Sequence, residues 1–293
     1  MTRQCWSSGS GLYKMRTNVY NVTYQACRNS RRVVSRRWIR VRKERDFSDA
    51  ACQPFLLEGG DHGVLLLHGF TGSAAHMRPL GEALNRHGFT VMGVNLPGHA
   101  VSMDDMARTG WQDWLDAAKD AFLQLQSRCR YASVAGLSMG GCLALLIAQQ
   151  MHPAAVVTIS APMSVRNPLL PLAGLASVFM PRIMWRSRGD TDLVLDDRYD
   201  YGYPGFPTRC GADLQRIIRM ARQDLHAVQC PILVVQSRQD ETITADSSDV
   251  IVNGVGSKTV GTLWLEGVPH VCTLSPQTEN IASAMTEMLC KAE

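Results

Sequence analysis

From Pro54 onward, short apolar runs alternate with longer segments of helical period, and this rhythm carries most of what the sequence says about fold. The runs 63–69 (GVLLLHG), 89–95 (FTVMGVN), 131–137 (YASVAGL), 154–160 (AAVVTIS), 230–237 (CPILVVQS) and 260–267 (VGTLWLEG) read as strands, each bounded by Gly, Pro or polar residues. Between them the spacing predicts helices at about 75–87, 111–128, 139–151, 212–228, 244–253 and 276–290. Strands that are apolar throughout, rather than on alternate positions, are buried on both sides. Alternation with helices therefore implies a mostly parallel sheet covered on both faces, an α/β fold.

One interval breaks the rhythm. Between Ala161 and about Cys210, six prolines (162, 168, 171, 181, 204 and 207) punctuate apolar patches, which no regular crossover helix tolerates. The segment reads as an insertion, a lid or cap. Met163, Phe179, Met184 and Trp185 are its candidate pocket-lining residues, although packing of the insertion onto the domain accounts for most such apolar positions.

Charge separates the first 50 residues from the rest. They carry 12 Lys and Arg against 3 Asp and Glu, while the remainder carries 18 against 23. Residues 1–51 thus read as a basic N-terminal extension, solvated and disordered, with residues 52–293 forming the folded domain. An organelle-type targeting peptide, or an arm for nucleic acid or anionic membrane, are the competing readings of that extension. The mildly acidic domain offers no clustered basic surface for nucleic acid. A small-molecule substrate is the expected partner, with a monomer or small homo-oligomer as the assembly.

The nine cysteines, at 5, 27, 52, 129, 142, 210, 230, 272 and 290, form no C-x-x-C pair and suit a reducing compartment. No apolar run reaches the length of a membrane span, and the start of the chain lacks a secretory h-region, so the expected location is cytoplasmic. Neither a zinc-type His/Cys/Glu spacing nor a phosphate loop occurs, and no metal or cofactor is expected.

In open α/β sheets the productive positions lie just beyond the carboxyl ends of the strands. Ser138, in the stretch VAGLSMGGC (134–142), stands between a strand and a helix, where a G-x-S-x-G turn exposes the serine hydroxyl. Gly136 and Gly140 suit the close strand-to-helix contact of that turn. The amide of Met139 would open the helix and face a developing oxyanion. A serine needs a base, and the base an orienting acid. Asp240 follows the strand PILVVQS, and His270 follows GTLWLEG, in the chain order Ser, Asp, His and at the same sheet edge. Glu241 remains a rival to Asp240. The motif HGFTGS (68–73) supplies a second oxyanion donor, the Phe70 amide, with His68 as a structural support of that loop and His99 as a loop stabiliser.

Together VLLLHGFTGS, NLPGHA, AGLSMGG, VVQSRQDETI and EGVPHV resemble the serine α/β-hydrolases, in particular bacterial carboxylesterases and monoacylglycerol lipases, over about residues 53–290. The resemblance implies Ser138 as nucleophile, His270 as base, Asp240 as orienting acid, the Phe70 and Met139 amides as oxyanion hole, and a small helical cap between the sixth and seventh main strands. It also implies hydrolysis of short- to medium-chain acyl esters or monoacylglycerols through an acyl-enzyme. A thioesterase or peptidase with the same triad, or a non-catalytic hydrolase-like binding protein, are the alternatives. One departure stands out: where the family has G-H-G after its third strand, this chain has Gly98-His99-Ala100.

Overall fold

In the computed structural model, residues 45–164, 180–185 and 195–292 are described, together with the backbone of a two-residue antiparallel pairing of Lys14–Met15 with Asn18–Val19. The domain is built on seven strands: β1 (Phe55–Leu57), β2 (His62–Leu67), β3 (Thr90–Val94), β4 (Tyr131–Leu137), β5 (Val156–Ile159), β8 (Ile232–Ser237) and β9 (Val260–Leu265). A separate two-stranded hairpin, β6 (Arg182–Met184) with β7 (Gly205–Pro207), belongs to the insertion. In space the main sheet runs β9-β8-β5-β4-β2-β3-β1, parallel throughout except for the short edge strand β1. The six runs predicted as strands all form strands of this sheet.

The helices are α1 (Arg78–Arg86), α2 (Met103–Met106), α3 (Trp111–Gln126), α4 (Met139–Met151), α5 (Thr208–Gln223), α6 (Asp246–Gly254) and α7 (Thr278–Cys290). Because side chains alternate across a strand, β2 feeds two cores. Val64 and Leu66 pack with Leu80 and Leu84 of α1 and Met285 and Leu289 of α7. Leu65 and Leu67 pack on the opposite face with Trp114 and Phe122 of α3, Leu143 and Ile147 of α4, and Ile217 of α5. Helix α4 is buried from Met139 through Ala148, which explains why its apolar residues show no single stripe.

Two expectations need adjustment. Residues 45–51, assigned to the extension, are part of the folded unit. Phe47 stands edge-on to Tyr203 at 5.1 Å, the Tyr201 hydroxyl donates to Asp49 Oδ2 at 2.8 Å, and Arg78 donates to the carbonyls of Ala50, Ala51 and Gln53. The insertion, which falls between the fifth and sixth main-sheet strands described, contains the β6–β7 hairpin, and α5 starts at Thr208, earlier than the spacing predicts. Its residues 165–179 and 186–194 lie outside the described residues.

Candidate active site

Strand β4 ends at Leu137 and α4 begins at Met139, so the chain turns through a single residue, Ser138, with φ 55° and ψ −117°. Such a backbone costs an L-residue about 1–3 kcal/mol and persists only where its surroundings fix it. Here the Ser138 amide donates to Ile159 O at 2.8 Å, and its carbonyl accepts from the Gly141 and Cys142 amides. The turn also brings strand and helix too close for a side chain: a Cβ on Gly136 would come within 2.0 Å of Gly140 O, and one on Gly140 within 2.2 Å of Leu67 O. Both glycines are steric requirements of the elbow.

Ser138, His270 and Asp240 form one continuous hydrogen-bonded chain. His270 Nε2 lies 2.9 Å from Ser138 Oγ, and His270 Nδ1 lies 2.7 Å from Asp240 Oδ2. The other carboxylate oxygen, Oδ1, accepts the amides of Thr242 at 2.9 Å and Ile243 at 3.0 Å, which fixes the plane of the carboxylate. Burial pushes the Asp240 carboxyl up, but the adjacent His270 and the two amides outweigh it and hold it below its ordinary range. An ionised Asp240 makes His270 Nδ1 the donor and leaves Nε2 free to accept the serine proton.

Glu241, the rival acid, makes a different bond: it accepts the main-chain N–H of His270 at 2.9 Å. The imidazole is held by Asp240. Other histidines are engaged elsewhere, His62 with Ser133, His87 with Glu279 and Thr286, and His226 with Asp224.

The loop after β2 lies directly against the elbow, since a Cβ on Gly69 would be 3.3 Å from both Leu137 O and Ser138 Cβ. That loop carries Phe70. As the first residue of α4, Met139 has an amide with no carbonyl four positions earlier in the helix to accept it, so it is available at the helix's positive end. His68 supports the loop as expected: it donates from Nδ1 to Gly69 O at 2.8 Å and accepts the Leu96 amide at Nε2 at 3.0 Å. Acceptance at Nε2 requires the neutral ring, and burial, with His99 nearby, holds its pKa well below the ordinary histidine value.

His99 donates from Nδ1 to Pro97 O at 3.1 Å and packs among His68, Phe70 and Trp114; burial lowers its pKa to about 4. Ala100, the departure from G-H-G, adopts φ 55°, the left-handed conformation that glycine takes without strain.

Of the four cap candidates, Met163 is 2% exposed and joins the core beside α4. Met184 and Trp185 are 55% and 43% exposed on the hairpin, with the Trp185 ring 4.8 Å from Phe206. Phe179 lies outside the described residues. Sequence reasoning passed over Tyr203 and Phe206. Tyr203 donates its amide to Thr71 O at 2.9 Å and its hydroxyl to Gly98 O at 2.8 Å, joining the loops that follow β2 and β3. Among the described residues no group of three or more His, Cys, Asp or Glu could hold a metal ion.

The profile of the serine aminopeptidase S33 family matches residues 61–276. The chain belongs to this family of α/β hydrolases. Within it, the hydrolase is 33% identical to a thermostable monoacylglycerol lipase of Bacillus sp. (strain H-257), over 83% of this chain and 96% of that protein. It is 30% identical to a carboxylesterase of Bacillus subtilis (strain 168), over 82% and 97% respectively. Among solved structures, one reported for the metagenome-derived lipolytic enzymes LipS and LipT matches with TM-score 0.76 and 31% identity, covering 83% of this hydrolase and 98% of that chain. The fold is also that of the Paleococcus ferrophilus monoacylglycerol lipase, at TM-score 0.68 and 16% identity, over 82% and 98%. The hydrolase is of the esterase and monoacylglycerol lipase type. No helix among its described residues is long and apolar enough to cross a membrane.

Proposed function

We propose that this hydrolase cleaves uncharged carboxylic esters with short- to medium-chain acyl groups, monoacylglycerols among them, through an acyl-enzyme on Ser138. The single observation that carries the reading is the chain of hydrogen bonds from Ser138 Oγ through His270 to Asp240, at 2.9 and 2.7 Å. Ser138 Oγ attacks the acyl carbonyl while His270 Nε2 takes its proton. The charge that develops on the carbonyl oxygen is met by the Phe70 and Met139 amides, the second at the positive end of α4. His270 returns the proton to the departing alkoxide, and the alcohol leaves. Water, deprotonated by the same nitrogen, then attacks the acyl-enzyme and releases the carboxylic acid and Ser138.

The substrate class is supported by the relatives, a lipase and a carboxylesterase matched over nearly their whole length. A cytoplasmic location agrees with the absence of disulfides among the seven described cysteines.

A p-nitrophenyl ester series from acetate to palmitate, run beside aminoacyl p-nitroanilides, tests the proposal. The expected result is kcat/KM greatest at butyrate to decanoate, with the anilides slower by at least about a hundredfold, some 3 kcal/mol of transition-state discrimination. A preference for the anilides, or for charged acyl groups, would replace the esterase reading with a peptidase.

A further inference from the structure

Asp240 and Glu241 are adjacent in sequence, yet they hold His270 by different handles. Asp240 Oδ2 accepts from the ring at Nδ1, while Glu241 Oε2 accepts from the main-chain N–H at 2.9 Å. The histidine loop needs such a handle. After β9 ends at Leu265, residues 266–271 form no helix or strand, and Pro269 has no N–H to donate. What holds this loop instead is a series of side chains from the segment that leaves β8.

Those side chains alternate, continuing the two-residue period of the strand. Ser237 Oγ donates to Val268 O, Gln239 Oε1 accepts the Gly267 amide at 2.7 Å, and Glu241 accepts the His270 amide. Asp240, the intervening residue, turns to the imidazole. Thus one short segment fixes the backbone of the histidine loop at three points and the histidine ring at a fourth.

We propose that Glu241 is a positioning residue for His270: its carboxylate fixes the main chain from which the imidazole extends, so that Nε2 and Nδ1 reach Ser138 and Asp240 together. The proposal rests on the triad reading given above. Its physical basis is leverage. A charge-assisted bond to a main-chain amide is directional, and a displacement of about 1 Å at reacting groups can cost on the order of a hundredfold in rate. Because the Glu241 side chain is exposed, the same bond adds little to global stability. A positioning role and a merely structural one therefore separate: the first alters kcat far more than melting temperature.

The test compares Glu241→Ala and Glu241→Gln in the full chain, with p-nitrophenyl butyrate as substrate. Glu241→Ala is expected to lower kcat about tenfold, roughly 1.4 kcal/mol, with KM within about twofold and an almost unchanged melting temperature. Glu241→Gln keeps a carbonyl oxygen that can accept the same amide, and should recover kcat to within about threefold of wild type. A downfield proton NMR resonance from His270 Nδ1–H, assigned by its loss in Asp240→Asn, should broaden or vanish in Glu241→Ala and persist in Glu241→Gln.

Wild-type kcat in Glu241→Ala would overturn the proposal, as would equal losses in both variants or a loss of kcat with the resonance intact. Ser138→Ala, run in parallel, keeps the two ideas apart. Full activity there removes the triad itself, whereas an inactive Ser138→Ala beside an unimpaired Glu241→Ala removes only the positioning role.

Discussion

Phe206 of the cap hairpin stands edge-on against Phe70, ring centroids 5.3 Å apart, so the insertion rests on the residue whose amide is proposed to receive the oxyanion. Phe206 is 2% exposed and in turn supports Trp185. An edge-to-face pair adds about 0.5–1.5 kcal/mol beyond the area it buries, enough to bias the placement of a loop. Phe206→Leu keeps an apolar side chain but loses the ring edge. It should lower kcat for p-nitrophenyl butyrate about fivefold, which steady-state kinetics would show. Unchanged kcat would mean that Phe70 is held without the hairpin.

Tyr203 ties together the loops that follow β2 and β3, donating its amide to Thr71 O. Its hydroxyl donates to Gly98 O at 2.8 Å and accepts the Val101 amide at 2.9 Å, while burial raises its pKa to about 12 and keeps the proton in place. Tyr203→Phe strips both part-buried main-chain groups of their partner, a loss of about 0.5–1.5 kcal/mol. Urea denaturation should register that decrease. A variant as stable as wild type would indicate that water replaces the hydroxyl.

Ala100 occupies a left-handed backbone position at φ 55°. For an alanine this conformation costs about 1–2 kcal/mol, and glycine relieves it at an unfolded-state entropy cost of about 0.4–1 kcal/mol. Ala100→Gly should therefore be neutral to stabilising, by up to about 1 kcal/mol, whereas Ala100→Val should destabilise. A urea midpoint that falls in the glycine variant would contradict this account of the loop.

Much of this architecture is legible in the sequence for a local reason. The central strands are buried on both faces, so they are written as unbroken apolar runs, while the edge strand β9 alternates buried and part-exposed positions; Ser138 follows β4 directly, and Asp240 and His270 lie in the loops that leave β8 and β9. What escaped is non-local. Arg182–Met184 and Gly205–Pro207 are three-residue strands some twenty residues apart, too short to show a period, and the contacts that accompany their pairing, Phe206 with Phe70 and Trp185, lie far apart in sequence. The fit of residues 45–51 depends on Tyr201 and Tyr203, about 150 positions later, so their basic surroundings masked a packed segment. For Glu241 the sequence offered a rivalry with Asp240. Only the orientation of the two carboxylates, one to the ring and one to the main chain, assigns each its bond.

Two buried histidines give the protein a predictable acid limit. Burial lowers the pKa of His99 to about 4 and that of His68 well below the ordinary value of 6.5. Between those values and 6.5 the unfolded chain binds protons that the folded one refuses, so stability falls as pH drops through that window. Above 6.5 neither ring contributes a pH dependence. His99 alone represents on the order of 3 kcal/mol across the window, at 1.36 kcal/mol per pH unit. Melting temperature should decline from pH 6.5 towards 4, with a shallower slope in His99→Asn. A flat profile, or an unaltered slope in that variant, would show that the rings are not held neutral.

The central claim is that the hydroxyl at the turn between β4 and α4 is the nucleophile, and intact-protein mass spectrometry with a fluorophosphonate addresses it most directly. Wild-type protein should gain a single adduct, mapped by peptide digestion to Ser138, with loss of esterase activity in proportion to labelling. Ser138→Ala should take up none and hydrolyse no ester above background. An adduct on another serine, or an active Ser138→Ala, would contradict the account.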